Sequence, residues 1–178
     1  MKQALLVIDV QHVLFNGQRR PFEADEVIDR INALTARARE AGVPVVLVQH
    51  EYPGSPMEYG SENWQFVKNL VILPGDVTVP KSSPDSFLRT NLGKLLQQWE
   101  TEQVVVCGYA SEFCVDTTVR RAAALGYSVA LASDAHTTHD KEHASGAQIR
   151  AHHNATLPNM TSFGVKIAAI PCAEITFG

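Results

Sequence analysis

Short apolar stretches alternate along the chain with amphipathic ones. The apolar stretches are rich in β-branched residues and are followed by polar or glycine positions. Near-continuous apolar runs of this length are typical of strands that are covered on both faces. The pattern predicts strands over residues 4–10, 43–49, 76–81, 103–108 and 127–133, and a short last strand near 165–170.

The stretches between these strands carry helical patterns. The clearest is residues 23–41, where apolar side chains recur on one helical face and Gly42 follows the last of them. Similar patterns predict helices over 91–99, 113–125 and 141–157. Strands that alternate with helices indicate parallel βαβ units with right-handed crossovers. We therefore predict a three-layer α/β/α sandwich with a mostly parallel sheet of about six strands and Rossmann-like topology.

Length, charge and cysteine content narrow the class of protein. A chain of 178 residues with 45% hydrophobic residues predicts one domain, residues 1–178, with a sizeable core. The net charge of -4 gives no basic field for nucleic acid or an anionic membrane, so we expect a small-molecule partner. No stretch reaches the roughly 18 to 20 apolar residues of a membrane span. Three cysteines without a C-x-x-C pair predict a cytoplasmic protein with no disulfide framework.

Polar residues that could take part in catalysis lie where the predicted strands end. In open parallel sheets the functional site lies at the carboxyl ends of the strands. Asp9 closes the first strand, Lys81 closes the third, and Cys114 follows the fourth at the start of a helical pattern. We therefore expect these three side chains to converge at one edge of the sheet.

A thiol in this position suits nucleophilic catalysis. A free cysteine has a pKa near 8.5, and both a helix start and a nearby ammonium favour its thiolate. A carboxylate can take the thiol proton, and backbone N–H groups of the turn can face a developing oxyanion. We predict that Cys107, within a strand, and Cys172, near the tail, are inert core residues.

Three quoted segments carry a resemblance to a known family. "LLVIDVQ", "VPKSSPDSF" and "GYASEFCVDTTVRRAAALGYSVALASDA" resemble the isochorismatase-like cysteine hydrolase superfamily, which includes nicotinamidases, carbamoylsarcosine amidohydrolases and isochorismatases. The resemblance extends in order from Leu5 to about Leu157. It implies an amidohydrolase that cleaves a C–N bond of a small amide, ureido or lactam substrate through a cysteine thioester. It also implies a homo-oligomer, a dimer or a tetramer.

The resemblance assigns roles to individual residues. It implies a triad of Asp9 as acid and base, Lys81 as electrostatic partner and Cys114 as nucleophile. It places a non-proline cis peptide between Tyr109 and Ala110, and the N–H groups of Ala110 and Cys114 in an oxyanion hole. No cofactor is implied.

The chain departs from particular members of that superfamily. Nicotinamidases carry an Asp-x-His motif after the second strand, with further histidines, that binds a metal. Here Gln49 stands at the expected aspartate, and His50 has no histidine partner over residues 51–80, so we predict no metal and not nicotinamide. Isochorismatases that cleave a vinyl ether generally lack the nucleophilic cysteine, so Cys114 argues against that reaction. Two alternatives stay open: a catalytically silent or regulatory ligand-binding member, and a non-covalent vinyl-ether hydrolase.

A second histidine cluster lies in "DAHTTHDKEH". On a helix His139 and His143 would share one face and could bind zinc together with His136, but we favour a solvated helix start because the segment is polar throughout.

The sequence gives the least information about the substrate pocket. Residues 51–66 form a long loop after the second strand, and loops of this kind often act as lids. The candidate pocket residues are Gln11, Trp64, Phe87 and Tyr109.

Overall fold

A six-stranded sheet flanked by helices forms the centre of the protein, described over residues 1–178 in a computed structural model. The strands are β1 (Gln3–Ile8), β2 (Val45–His50), β3 (Val77–Lys81), β4 (Gln103–Tyr109), β5 (Ser128–Thr137) and β6 (Ile167–Ile170). Their order is β3-β2-β1-β4-β5-β6, and every neighbouring pair is parallel. The predicted α/β/α fold with a parallel sheet is confirmed.

Five α-helices connect these strands. They are α1 (His12–Phe15), α2 (Ala24–Glu40), α3 (Leu92–Gln98), α4 (Asp116–Ala124) and α5 (Gly146–Thr156). The prediction of a helix from residue 141 is wrong by five residues, because Ser145 and Gln148 form a capping box that fixes the start of α5. No helix combines the length and apolar character that a membrane crossing requires.

The two faces of the sheet contribute to two separate hydrophobic cores. Side chains along β1 alternate between them, as strand geometry demands. Leu5 and Val7 pack with the apolar stripe of α2. Leu6 and Ile8 pack on the opposite face with residues of α3 and α4. This double coverage explains why β1 is almost wholly apolar until Asp9.

Strand β5 is longer than the predicted 127–133 because its pairing with β4 is irregular. Val106 pairs with Leu131, whereas Gly108 pairs with His136, so two steps along β4 correspond to five along β5. The extra residues form a bulge, which periodicity does not reveal. After the bulge, β5 runs on to the carboxyl edge of the sheet and carries His136 there.

Candidate active site

The structure brings together three residues that are far apart in the sequence. Asp9 follows β1, Lys81 ends β3, and Cys114 lies in a π-helical turn, Ser111–Val115, that leads from β4 into α4. The Nζ atom of Lys81 lies 2.7 Å from Oδ2 of Asp9 and 3.2 Å from Sγ of Cys114. All three side chains are buried. A carboxylate, an ammonium and a thiol therefore share one enclosed site.

The backbone around Asp9 is held in an unusual conformation. Asp9 has a φ of 51°, in the left-handed region that few residues other than glycine adopt. Its N–H donates to the carbonyl of Val48 in β2 at 2.9 Å. Its Oδ1 atom is buried and has no hydrogen-bond partner, while Oδ2 accepts from Lys81. One carboxylate oxygen is therefore free for a proton.

The electrostatic balance leaves Cys114 as a thiol in the resting protein. Burial, together with the negative charge of Asp9, raises the pKa of Cys114 to about 12, and the Lys81 ammonium only partly offsets this. Lys81 favours the thiolate, as expected, but burial and the charge of Asp9 act more strongly in the opposite direction. Desolvation is the largest effect on the pKa of Cys114, because the sulfur is enclosed by the same elements that bring the charges to it.

The turn before Cys114 contains a backbone N–H group without a partner in the protein. The peptide bond between Tyr109 and Ala110 is cis. The carbonyl of Ala110 accepts from the N–H groups of Phe113 and Val115, at 3.0 and 3.1 Å, whereas the Ala110 N–H donates to no protein group. Ala110 is buried, so this unpaired donor is available to a bound oxygen.

His50 is a fourth member of the cluster. Its Nδ1 atom lies 2.8 Å from Nζ of Lys81 and 3.9 Å from Oδ2 of Asp9. His50 and Lys81 are direct partners in the parallel ladder of β2 and β3. The sequence places both His50 and Lys81 at strand ends, but it does not reveal the contact between their side chains.

The site does not suit a metal cation. Ligand atoms of Asp9, His50 and Cys114 lie within 4.8 Å of one another, which is a plausible spacing for a metal. The ammonium of Lys81, however, contacts all three of them. A positive charge already stands where the cation would have to bind, so these residues do not fit a metal.

Gln11 and Trp64, both predicted to contact substrate, are joined by a hydrogen bond. The Gln11 amide donates to the carbonyl of Trp64 at 2.8 Å and to that of His50 at 2.9 Å. Gln49 donates to the same Trp64 carbonyl at 2.9 Å. The Trp64 indole N–H is buried without a partner. Gln11 thus fixes the strand ends, while Trp64 has an unused donor.

The other two pocket candidates lie in different places. The Tyr109 hydroxyl bonds to Nδ1 of His139 at 2.8 Å, and its ring contacts Phe15 edge-on; burial raises its pKa to about 12. Phe87 is not brought to the site. Its ring stacks on Tyr127, which directly precedes β5 at the opposite edge of the sheet.

The histidine cluster does not converge on a metal. His136 is buried, and it bonds to the Ser111 hydroxyl at 2.8 Å and to Oδ1 of Asn154 at 2.9 Å. His139 is held by Tyr109 and the Arg19 carbonyl. His143 lies before the start of α5, so it shares no helical face with His139. The segment is not helical, so neither the zinc alternative nor the favoured solvated helix start is correct: His136 lies buried in β5, and α5 begins only at Gly146.

Comparison with known proteins reveals extensive similarity. The chain is 41% identical over 141 residues to a streptothricin hydrolase from Streptomyces noursei, covering 78% of this chain and 50% of that protein. It is 27% identical over 171 residues to a ureidoacrylate amidohydrolase from Cronobacter sakazakii, covering 75% and 74%. A crystal structure of an isochorismatase from Pseudomonas putida matches with a TM-score of 0.88 and 29% identity, covering 98% and 90%. The chain spans about half the length of the first relative.

A family model extends this similarity over most of the chain. The model described as the Isochorismatase domain matches residues 3–162. That range contains Asp9, Lys81 and Cys114 and all strands except β6. The chain therefore belongs to the isochorismatase family.

Proposed function

We propose that the protein is a cysteine hydrolase that cleaves a C–N bond of a small amide, ureido or lactam substrate. The observation that carries this proposal is the buried contact of the Lys81 ammonium with both the Asp9 carboxylate and the Cys114 sulfur. Similarity to a streptothricin hydrolase supports hydrolysis, and similarity to a ureidoacrylate amidohydrolase supports an amide-type bond.

The first half-reaction forms a thioester. Because Cys114 rests as a thiol, its proton moves to the unpaired Oδ1 of Asp9 as the sulfur attacks the substrate carbonyl carbon. Lys81 stabilises the negative charge on the sulfur during this transfer. The N–H groups of Ala110 and Cys114 hold the carbonyl oxygen as it becomes negative. Asp9 then gives the proton to the leaving nitrogen, and the C–N bond breaks.

The second half-reaction releases the acid. Asp9, again a carboxylate, takes a proton from a water molecule as that water attacks the thioester carbon. The C–S bond breaks, and the proton on Asp9 returns to the sulfur. The thiol of Cys114 and the carboxylate of Asp9 are thereby restored, and one water is consumed for each C–N bond cleaved.

The substrate must be small enough to reach an enclosed sulfur. Cys114 is 9% exposed, and Trp64 carries an unpaired indole N–H that can bind a substrate oxygen. Trp64 and Tyr109 remain our candidates for the substrate-contacting residues.

A substrate screen with a matched thiol control tests this proposal. Wild type, Cys114→Ala and Cys172→Ala are incubated with small amides, ureides and lactams; ammonia release reports the first two, and the gain of one water by mass spectrometry reports lactam opening. We expect Cys114→Ala to lose at least ~1,000-fold in turnover. The Cys172→Ala variant, which changes a buried thiol outside the site, should keep its activity.

Two outcomes would contradict the proposal. Full turnover by Cys114→Ala would indicate non-covalent hydrolysis of the vinyl-ether type. Absence of turnover above that variant for every compound would indicate a ligand-binding protein. A thioester captured on Cys114 by rapid acid quench would support the covalent route directly.

A further inference from the structure

Lys81 has more hydrogen-bond acceptors around it than it has protons to donate. Its Nζ atom lies 2.7 Å from Asp9 Oδ2, 2.8 Å from His50 Nδ1, 3.1 Å from the Ser83 carbonyl and 3.2 Å from Cys114 Sγ. An ammonium group has three N–H bonds. The three shorter contacts therefore satisfy it at rest, and the neutral sulfur, a weak acceptor, is the fourth.

From this arrangement we propose that His50 is a positioning residue that holds the Lys81 ammonium between Asp9 and Cys114. The lysine side chain is a flexible stem with a compact charge, so its place depends on the acceptors around its end. The Asp9 carboxylate attracts the ammonium through their ion pair. His50 is the only side-chain acceptor other than the two reacting groups among its contacts.

The neighbouring structure holds His50 in place. The His50 N–H donates to Oε1 of Gln11 at 2.9 Å, and the Gln11 amide donates back to the His50 carbonyl at 2.9 Å. Gln11 is fully buried, and the parallel pairing of β2 with β3 sets His50 beside Lys81. The backbone of His50 is therefore held at both its N–H and its carbonyl, and the Nδ1 atom of its ring lies against the Lys81 ammonium.

This role requires a neutral imidazole. Because Nδ1 accepts from Lys81, the ring proton belongs on Nε2. Protonated His50 would lose its acceptor and place a second cation 2.8 Å from Lys81. The charged or titratable groups in contact are Lys81 from β3, Asp9 beyond β1 and Cys114 beyond β4. Burial and Lys81 lower the pKa of His50, and Asp9 acts against them.

Protonation of His50 should therefore weaken the stabilisation of the Cys114 thiolate. The displaced ammonium would no longer offset the effects of burial and Asp9 on the sulfur. Above the pKa of His50, thiolate formation requires the loss of one proton, from Cys114. Just below that pKa, it is favoured by the loss of a second proton, from His50.

Reactivity of Cys114 toward 2,2′-dipyridyl disulfide tests this inference without a substrate. The second-order rate is measured from pH 5 to 8, and mass spectrometry of the labelled peptide identifies the cysteine. In His50→Asn, the side-chain oxygen takes the place of Nδ1 but does not titrate; His50→Leu has no acceptor. His152→Asn changes an exposed histidine on α5 and is the matched control.

We expect the logarithm of the wild-type rate to rise with a slope of about one per pH unit above the pKa of His50 and to steepen, toward two, over about one pH unit below it. His50→Asn should keep a slope of about one throughout and react within about threefold of wild type at pH 7.5. His50→Leu should be at least ~10-fold slower at pH 7.5. His152→Asn should follow wild type.

The same steepening in His50→Asn, or an unchanged rate in His50→Leu, would overturn the inference. If His50→Leu does not fold, as judged by its thermal transition, the pH profile of His50→Asn decides alone. The inference rests on Cys114 as the nucleophile of the proposed function. The proposed function and the role of His50 are tested by different measurements. Turnover by Cys114→Ala tests whether Cys114 is the nucleophile, whereas thiol labelling tests only the environment of its sulfur.

Discussion

Gly108 in β4 lies so close to Ile8 in β1 that a Cβ atom on Gly108 would stand 2.1 Å from the Ile8 carbonyl oxygen. Gly108 also has a φ of 113°, which residues with a side chain rarely adopt. Asp9 follows Ile8 directly, and the turn to Cys114 begins just beyond Gly108. This close approach of two backbones thus sets the distance between the carboxylate and the nucleophile turn.

Replacement of Gly108 by alanine should damage both fold and site. The added Cβ meets backbone atoms that cannot move aside, and φ is unfavourable as well, so we expect Gly108→Ala to lower the free energy of unfolding by at least ~2 kcal/mol. Urea denaturation measures this. Gly75→Ala, whose Cβ meets no atom within 4 Å, is the control and should stay within about 0.5 kcal/mol of wild type. Equal losses of unfolding free energy in Gly108→Ala and Gly75→Ala would contradict the predicted clash with Ile8.

Asp9→Asn should make the thiol more acidic while abolishing turnover. The negative charge of Asp9 raises the pKa of Cys114 and Lys81 lowers it, so removal of the carboxylate alone lowers that pKa. Reaction of Cys114 with dipyridyl disulfide at pH 7.5 should then be several-fold faster than in wild type, by about the change in thiolate fraction. Amide turnover should fall at least ~100-fold, because the variant has no base. A slower labelling reaction would contradict this charge balance.

The Asp9–Lys81 pair should show strong coupling in a double-mutant cycle. Lys81→Met leaves the Asp9 carboxylate buried with its ammonium partner removed, which costs about 3 kcal/mol or more in unfolding free energy. Combining Lys81→Met with Asp9→Asn removes the stranded charge, so the double variant should be more stable than Lys81→Met alone. Chemical denaturation of all four proteins gives the coupling energy. Additive losses would show that the pair does not interact.

His136 should make the protein sensitive to acid. Burial lowers the pKa of His136 to about 4 in the folded protein, against about 6.5 in an unfolded chain. Between these values the unfolded chain binds a proton that the folded protein does not, so stability falls as pH decreases from about 6.5 to 4, by at most ~1.4 kcal/mol per pH unit.

Unfolding free energies of His136→Gln, measured over that pH range, check this prediction. The substitution removes the titrating group, so the dependence of stability on pH should become shallower by up to one proton. His152→Gln, on the exposed side of α5, should keep the wild-type dependence. If the unfolding free energy of His136→Gln depended on pH as steeply as that of wild type, groups other than His136 would account for the loss of stability in acid.

Much of this fold could be predicted from the sequence because strands covered on both faces are nearly uninterrupted apolar runs. The boundaries of β1 to β4 lie within about two residues of the expected ones. The end of β5 was not predicted because Asp134 in the bulge and His136 just after it are polar, and such a stretch resembles a loop. The start of α5 was not predicted correctly because a local capping box, and not the apolar periodicity, determines it.

The candidate site was predicted where the rule of strand ends applied, and missed where pairing register or burial mattered. Asp9, Lys81 and Cys114 each stand at the carboxyl side of a parallel strand, so the topology alone brings them to one edge. The contact between His50 and Lys81 depends on the register of β2 and β3, which the sequence does not contain. The raised pKa of Cys114 depends on enclosure by the folded chain.

The hydrogen bonds that Gln11 and Gln49 make to the Trp64 carbonyl divide the loop over residues 51–66 into two parts with different freedom to vary. The anchored end is tied to the strands that carry the reactive groups, so substitutions there disturb the chemistry. The outer end, with Tyr52 and Tyr59 exposed to solvent, makes no such hydrogen bond and meets the anchored end through the Tyr59 ring, which packs on Trp64. The outer end of the loop can therefore change in sequence with less disturbance of the reactive centre than the anchored end.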